Sequence, residues 1–261
     1  VIPNGFPLDI YKPVSDCSEN EAPEILEKKK LILFGADYET DRKGFKYLVS
    51  ALELLSKKTV DYKISLGVFG YYPADFKIPD NCTLINYGKI NDENELAKIY
   101  GNADVFVLPS IEDNLPNVVI EALACGTPVV GFNIGGVKEQ VEHKINGYLA
   151  NSKDVTDLAE GIHWVLFESN YSSLQNNSRS TVVKEYSMED QTTSYFNLYQ
   201  NLVKNSKIDP SSQKIILDDL FVKAETLIQN GEYSKSKVML TFLLGKDHDN
   251  LNYLNDLAVN Y

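Results

Sequence analysis

The chain has 261 residues, 43% of them hydrophobic, as expected of a globular protein able to bury a substantial core. Its formal net charge is −12, which disfavours nucleic acid as a partner because phosphodiester backbones need a basic face. Three widely spaced cysteines, Cys17, Cys82 and Cys125, give neither a metal spacing nor a disulfide framework and fit a reducing, cytoplasmic setting, and no apolar run is long enough to span a bilayer.

The chain opens with VIPNGFPLDIYKP, without Met or a signal-peptide pattern, so an upstream segment is not excluded. From about residue 30 to 150, strand and helix signals alternate. LILFGA (31–36) is a short apolar run ending in glycine and reads as a buried strand. A polar loop, DYETDR, follows. Then comes a helix with Phe45, Leu48, Val49, Leu52 and Leu55 on one face. Residues 62–70 and 83–88 read as strands, and 92–103 as a short helix with acidic residues in its first turn. DVFVLPS (104–110) reads as a strand ending at Pro109, followed by a helix with Pro116 in its first turn. PVVGF (128–132), a Gly135-Gly136 turn and NGYLA (146–150) come next. Residues 151–205 read as helical, with one stripe running from Val155 to Leu166 after an Asn151-Ser152 cap and another helix at 187–205.

Continuous apolar strands alternating with helices predict an α/β fold: a Rossmann-like parallel sheet with helices on both faces. Ligands bind such sheets at the carboxyl ends of the strands, which directs attention to the loops after Ala36, Gly88 and Pro109.

Two of these loops carry chemistry. In FGADYETDRKGF, Gly35 closes a strand, and Arg42 and Lys43 precede a helix. Two cations beside free helix amides suit a diphosphate, although a solvated basic pair has the same spacing. In SIEDNLPNVVIEALACGTPVV, Glu121 is the only charged residue between Asp113 and Lys138. A carboxylate inside an apolar helix is rarely left unpaired. It can accept hydrogen bonds from two adjacent hydroxyls, as a ribose presents them, while amides near Asn117 and Val118 face an anion. The alternative is a structural Glu121 paired with a backbone donor or Arg42. Asp247-His248-Asp249, the scattered histidines and Tyr71-Tyr72 carry weaker signals, and no P-loop or Gly-x-Gly-x-x-Gly fingerprint is present.

The stretch from Pro109 to Ala150 closely resembles the donor-binding domain of retaining, nucleotide-sugar-dependent glycosyltransferases with the GT-B fold. That family's pattern has an acidic residue, seven others, then Glu and Ala-x-Ala-x-Gly-x-Pro-Val-Val. Asp113 and Glu121 fill the acidic places, and Gly135-Gly136-x-x-Glu139 and Asn146-Gly147 also match. The opening segment is similar to the linker into that domain, and 187–205 to its closing helices, so the resemblance spans about 1–205. It implies that Glu121 holds the ribose hydroxyls and that Asp113 sits near the donor sugar. Amides around Asn114, Leu115 and Asn117 would meet sugar or diphosphate, and Gly35 would line the donor site. Lys43 would neutralise the leaving diphosphate, and the loop at Lys89 and Ile90 would cover the base. The expected substrate is a nucleoside diphosphate sugar. No cofactor and no divalent metal are expected, because Arg42 and Lys43 supply the charge.

Departures are visible. Ala36 stands where many relatives carry Arg, so Arg42 is expected to supply that charge from a longer loop, and Asp113 replaces the usual Glu. The acceptor-binding domain is expected upstream, with any peripheral membrane contact lying there. The fragment alone is expected to transfer sugar poorly. Residues 206–261 follow an SKIDPSS linker, and GEYSKSKVMLTFLLGKDHDNLNYLNDLAVNY resembles a tetratricopeptide repeat entering the next, which implies a protein partner. A helical appendage on the main domain is the alternative. Two rival functions share the pattern: a sugar-nucleotide epimerase on the same fold, and an inactive donor domain kept as a scaffold for the repeats.

Overall fold

The apolar runs form a six-stranded sheet in the order β3-β2-β1-β4-β5-β6. The computed structural model describes residues 5–14, 29–36, 41–73, 76–188, 191, 193–195, 197–198 and 221–223. The strands are β1 (Lys29–Ala36), β2 (Lys63–Gly70), β3 (Cys82–Gly88), β4 (Val105–Leu108), β5 (Val129–Phe132) and β6 (Gly147–Ala150). Every neighbouring pair is parallel. The central strands are apolar throughout because both faces are covered: all four residues of β4 and of β5 are buried. Edge strand β3 instead mixes buried and exposed positions.

The helices are α1 (Phe45–Lys58), α2 (Glu93–Gly101), α3 (Asn117–Ala124), α4 (Val137–Gln140), α5 (Val155–His163) and α6 (Tyr171–Glu185). Right-handed crossovers running in opposite directions from the sheet centre place α1 on one face and α2 and α3 on the other. On the first face, α1 packs against α5. Its buried Leu48, Leu52 and Leu55 join Ile32, Phe34, Leu158 and Ile162 in the core. This is the expected α/β arrangement.

Four local features differ from expectation. The α5 cap is Asp154, whose carboxylate accepts from the amides of Thr156 and Asp157, and not the Asn151-Ser152 pair. Asn151 is instead engaged through its own amide, which donates to Asp157 Oδ2 at 2.7 Å. Pro116 precedes α3 as its N-cap, with ψ 120 taking it out of helical geometry. Beyond the Gly135-Gly136 turn stands a short helix, α4, and α5 continues into a π-helical turn, Trp164–Glu168, neither of which the sequence pattern indicated.

The chain divides into two compact units, Leu8–Lys184 and Val1–Pro7 with Glu185–Tyr261. In the second, the Phe6 amide donates to Tyr186 O at 2.9 Å, and the described residues at 188, 191, 193–195, 197–198 and 221–223 are helical. The boundary expected at 205/206 and nearly all of the repeat-like tail lie outside the described residues. Among the described residues, no helix is long and apolar enough to cross a membrane.

Candidate functional site

Strands β1 and β4 lie side by side at the sheet centre, and the chain leaves them toward opposite edges. Doubly wound sheets hold ligands in the crevice outside the carboxyl ends of the strands at such a switch point, which here falls between the end of the loop that follows β1 and the loop that follows β4. Gly44, at φ 69, brings those loops together: a Cβ there would overlap the carbonyl oxygen of Pro109. Arg42 O accepts from the Ile111 amide at 2.8 Å, closing the seam. Lys43 then reaches across it, Nζ donating to Asp113 Oδ2 at 2.9 Å, with side chains 16% and 13% exposed.

The β4 loop is held from its other side by the Gly135-Gly136 turn. The Gly136 amide donates to Asp113 O at 3.2 Å. A Cβ at Gly135 would overlap Asp113 O, and one at Gly136 would overlap Asn114 O. Residues 113–115 are thus fixed between two glycine-dependent approaches. Asn114 and Asn117 are exposed at the mouth and Leu115 is half-buried. Helix α3 starts beyond the carboxyl end of β4 without a side-chain cap, so its first-turn amides lie at the crevice end of the sheet. Gln140 Nε2 donates to Pro116 O at 3.2 Å and ties α4 to the start of α3. Among the described residues, two buried polar atoms nearby, Ser110 Oγ and Gln140 Oε1, have no hydrogen-bond partner.

Glu121 lies one turn inside α3 and is half-buried, less enclosed than its apolar neighbours suggested. Its Oε2 accepts from the phenol of Tyr100 at 2.8 Å. That partner is a side chain from the end of α2, and sequence reasoning missed it. The available signal was a tyrosine on the apolar side of the helix carrying Ala97 and Ile99. The Tyr100 ring is fully buried and meets Phe69 and Phe106 edge-on, at centroid separations of 5.6 and 5.4 Å. Its backbone carbonyl accepts from Thr127 Oγ1 at 2.6 Å. Burial, then the charge of Glu121, pushes the Tyr100 phenol well above its ordinary value, so it remains a donor. The same two causes raise Tyr11.

The remaining sequence candidates spread further. Gly35 is buried in β1, and the space a side chain would need there is filled by the Phe69 ring. Lys89, exposed, and Ile90, half-buried, follow β3 at the sheet edge. Two strand spacings, about 10 Å, separate that edge from β1. The Asn146-Gly147 pair has a bracing role. Buried Asn146 accepts from the Glu142 amide at 2.8 Å and donates to Gln140 O and Thr181 Oγ1, both at 3.2 Å.

The architecture is thus a doubly wound α/β domain whose paired charges and uncapped helix meet at the switch point of the sheet. A family model described as glycosyl transferases group 1 matches residues 18–181, and the chain belongs to that family. An uncharacterized glycosyltransferase of Haemophilus influenzae is 32% identical over 168 residues, 61% of this chain and 45% of that protein. Among solved structures, a sucrose-phosphate synthase from Thermosynechococcus elongatus superposes with TM-score 0.63 at 26% identity, covering 78% of this chain and 53% of the other. A protein from Anabaena solved with UDP and glucose gives TM-score 0.56 at 17% identity, covering 77% and 55%. The chain spans about half the length of the curated relatives it matches.

Proposed function

We propose that this chain is the donor-binding half of a retaining glycosyltransferase, holding a nucleoside diphosphate sugar in the crevice between the β1 and β4 loops. The observation that carries the reading is the Lys43–Asp113 pair bridging the two loops at 2.9 Å, with Glu121 on the helix that follows. In this reading Glu121 accepts from the ribose diol. Lys43, Arg42 and the amides around Asn114, Leu115 and Asn117 stabilise charge on the diphosphate as the glycosidic bond breaks, so no divalent ion is needed. Asp113 keeps Lys43 aimed and lies near the donor sugar. Gly35 supports the floor by seating the Phe69 ring, and Lys89 and Ile90 reach the base from the sheet edge. An upstream domain supplies the acceptor, and the repeat-like tail receives a protein partner.

The test is a calorimetric titration of the chain, and of the full-length protein, with UDP, GDP and ADP, alongside Glu121→Ala. The Anabaena complex makes UDP the first to try. Binding of one nucleotide, lost in Glu121→Ala, supports a live donor site. No binding to the full-length protein overturns it. Analysis of the full-length product separates sugar transfer from epimerisation. The chain alone is expected to bind nucleotide without measurable transfer.

A further inference from the structure

We infer that Tyr100 is a positioning residue for nucleotide recognition, orienting the Glu121 carboxylate toward the ribose diol; this rests on the donor-site reading above. Glu121 is half-exposed on a short helix, and a glutamate side chain there has several rotatable bonds. A ribose diol needs both of its hydroxyls met by one carboxylate in a set orientation, so wandering of that carboxylate weakens recognition.

The geometry removes that freedom from beneath. The Tyr100 phenol holds Oε2 at 2.8 Å. The ring is wedged edge-on between Phe69 of β2 and Phe106 of β4, so it cannot follow a swinging glutamate. Phe69 lies across β1 because Gly35 leaves room for its ring. The backbone of Tyr100 is fixed in turn by Thr127, just beyond α3, at 2.6 Å. One residue of α2 is therefore tied to α3 through its phenol and to the turn beyond α3 through its carbonyl. Phenylalanine would fill the same space between Phe69 and Phe106; what tyrosine adds is a donor set on the Glu121 carboxylate. The buried phenol stays protonated, so the bond to a charged acceptor persists across the physiological range.

The test compares UDP, GDP and ADP with their 2′,3′-dideoxy counterparts on the full-length protein, wild type and Tyr100→Phe, with folding followed by thermal melting. The wild type is expected to prefer the ribose form of the nucleotide it binds. Tyr100→Phe is expected to lose about tenfold in affinity for that form, the scale of one hydrogen bond to a charged group, and to keep its affinity for the dideoxy form. Equal weakening of both forms, or no change in either, overturns the inference while leaving the donor site standing. A wild type that binds no nucleotide, or does not discriminate the diol, overturns the donor-site reading of Glu121 and this inference with it. If Tyr100→Phe does not fold, Thr127→Val carries the test by releasing the Tyr100 carbonyl. A smaller loss confined to the ribose form supports the inference, and an equal loss on both forms overturns it.

Discussion

Lys43 and Asp113, seventy positions apart in the chain, form a hydrogen-bonded ion pair at 2.9 Å that bridges the β1 and β4 loops. The pair is mostly shielded from water, so the carboxylate takes up much of the charge that Lys43 would otherwise offer to an anion. In the proposed site the two substitutions therefore act with opposite signs on nucleotide binding. Lys43→Ala leaves a carboxylate facing the diphosphate, and the Kd for nucleoside diphosphate is expected to rise about tenfold or more. Asp113→Asn frees the ammonium, and binding is expected to hold or tighten while transfer by the full-length enzyme falls. Calorimetry on both variants, with turnover measured on the full-length protein, checks this. Weaker binding in Asp113→Asn would show that the carboxylate meets the ligand directly.

Gly136→Ala tests the support behind that loop. Its Cβ would overlap a backbone oxygen, that of Asn114, which no side-chain rotation can relieve. Chain displacement is expected to cost about 1–3 kcal/mol, together with lost nucleotide binding. Gly88→Ala is the comparison. Gly88 sits at φ 67 but has nothing within 4 Å of its Cβ position, so only the left-handed backbone penalty remains, about 1 kcal/mol. Denaturant unfolding of the two variants separates steric from conformational cost.

What the sequence made legible follows from local rules. Apolar runs predicted the strands because β1, β4 and β5 are covered on both faces, and Gly35 and Pro109 marked where two of them end. The loops after Ala36 and Pro109 were found because a parallel sheet presents ligands there. The partner of Glu121 was not legible: the Tyr100–Glu121 bond depends on how α2 and α3 lie against each other, which periodicity within either helix does not encode. The α5 cap was misplaced because Asn151, Ser152 and Asp154 are all cap-forming types, and only the geometry shows which side-chain oxygen meets the first-turn amides.

Arg179 on α6 was equally hidden, since it acts across the whole unit. Its guanidinium donates to Leu8 O at 3.0 Å, to Ala124 O at 2.8 Å and to Tyr11 O, joining the leading segment to the carboxyl end of α3. A cation there also complements the helix dipole. Arg179→Met keeps most of the volume but strands three carbonyls. Stability is expected to fall by about 2–4 kcal/mol, read by denaturant unfolding. A loss no larger than that of Lys184→Met, at an exposed cation on the same helix, would sink the clamp.

Buried phenols set the alkaline limit of the fold. Tyr100 is raised well above 10.0 by burial and by Glu121, and Tyr148 is pushed up to about 12 by burial and its hydrogen bond to Asp157. An unfolded tyrosine ionises near 10, so above that pH the unfolded chain holds fewer protons than the folded one. Stability from these groups is complete below pH 10 and falls as pH rises through the folded values, by up to about 1.4 kcal/mol per pH unit for a fully buried phenol. Unfolding free energies measured below and above pH 10 should show this decline in the wild type. Tyr100→Phe removes one titrating group, so its curve is expected to start lower, for the lost bond to Glu121, and to fall less steeply. A variant curve parallel to the wild type across the alkaline range would mean that Tyr100 ionises as readily in the folded chain as in the unfolded one.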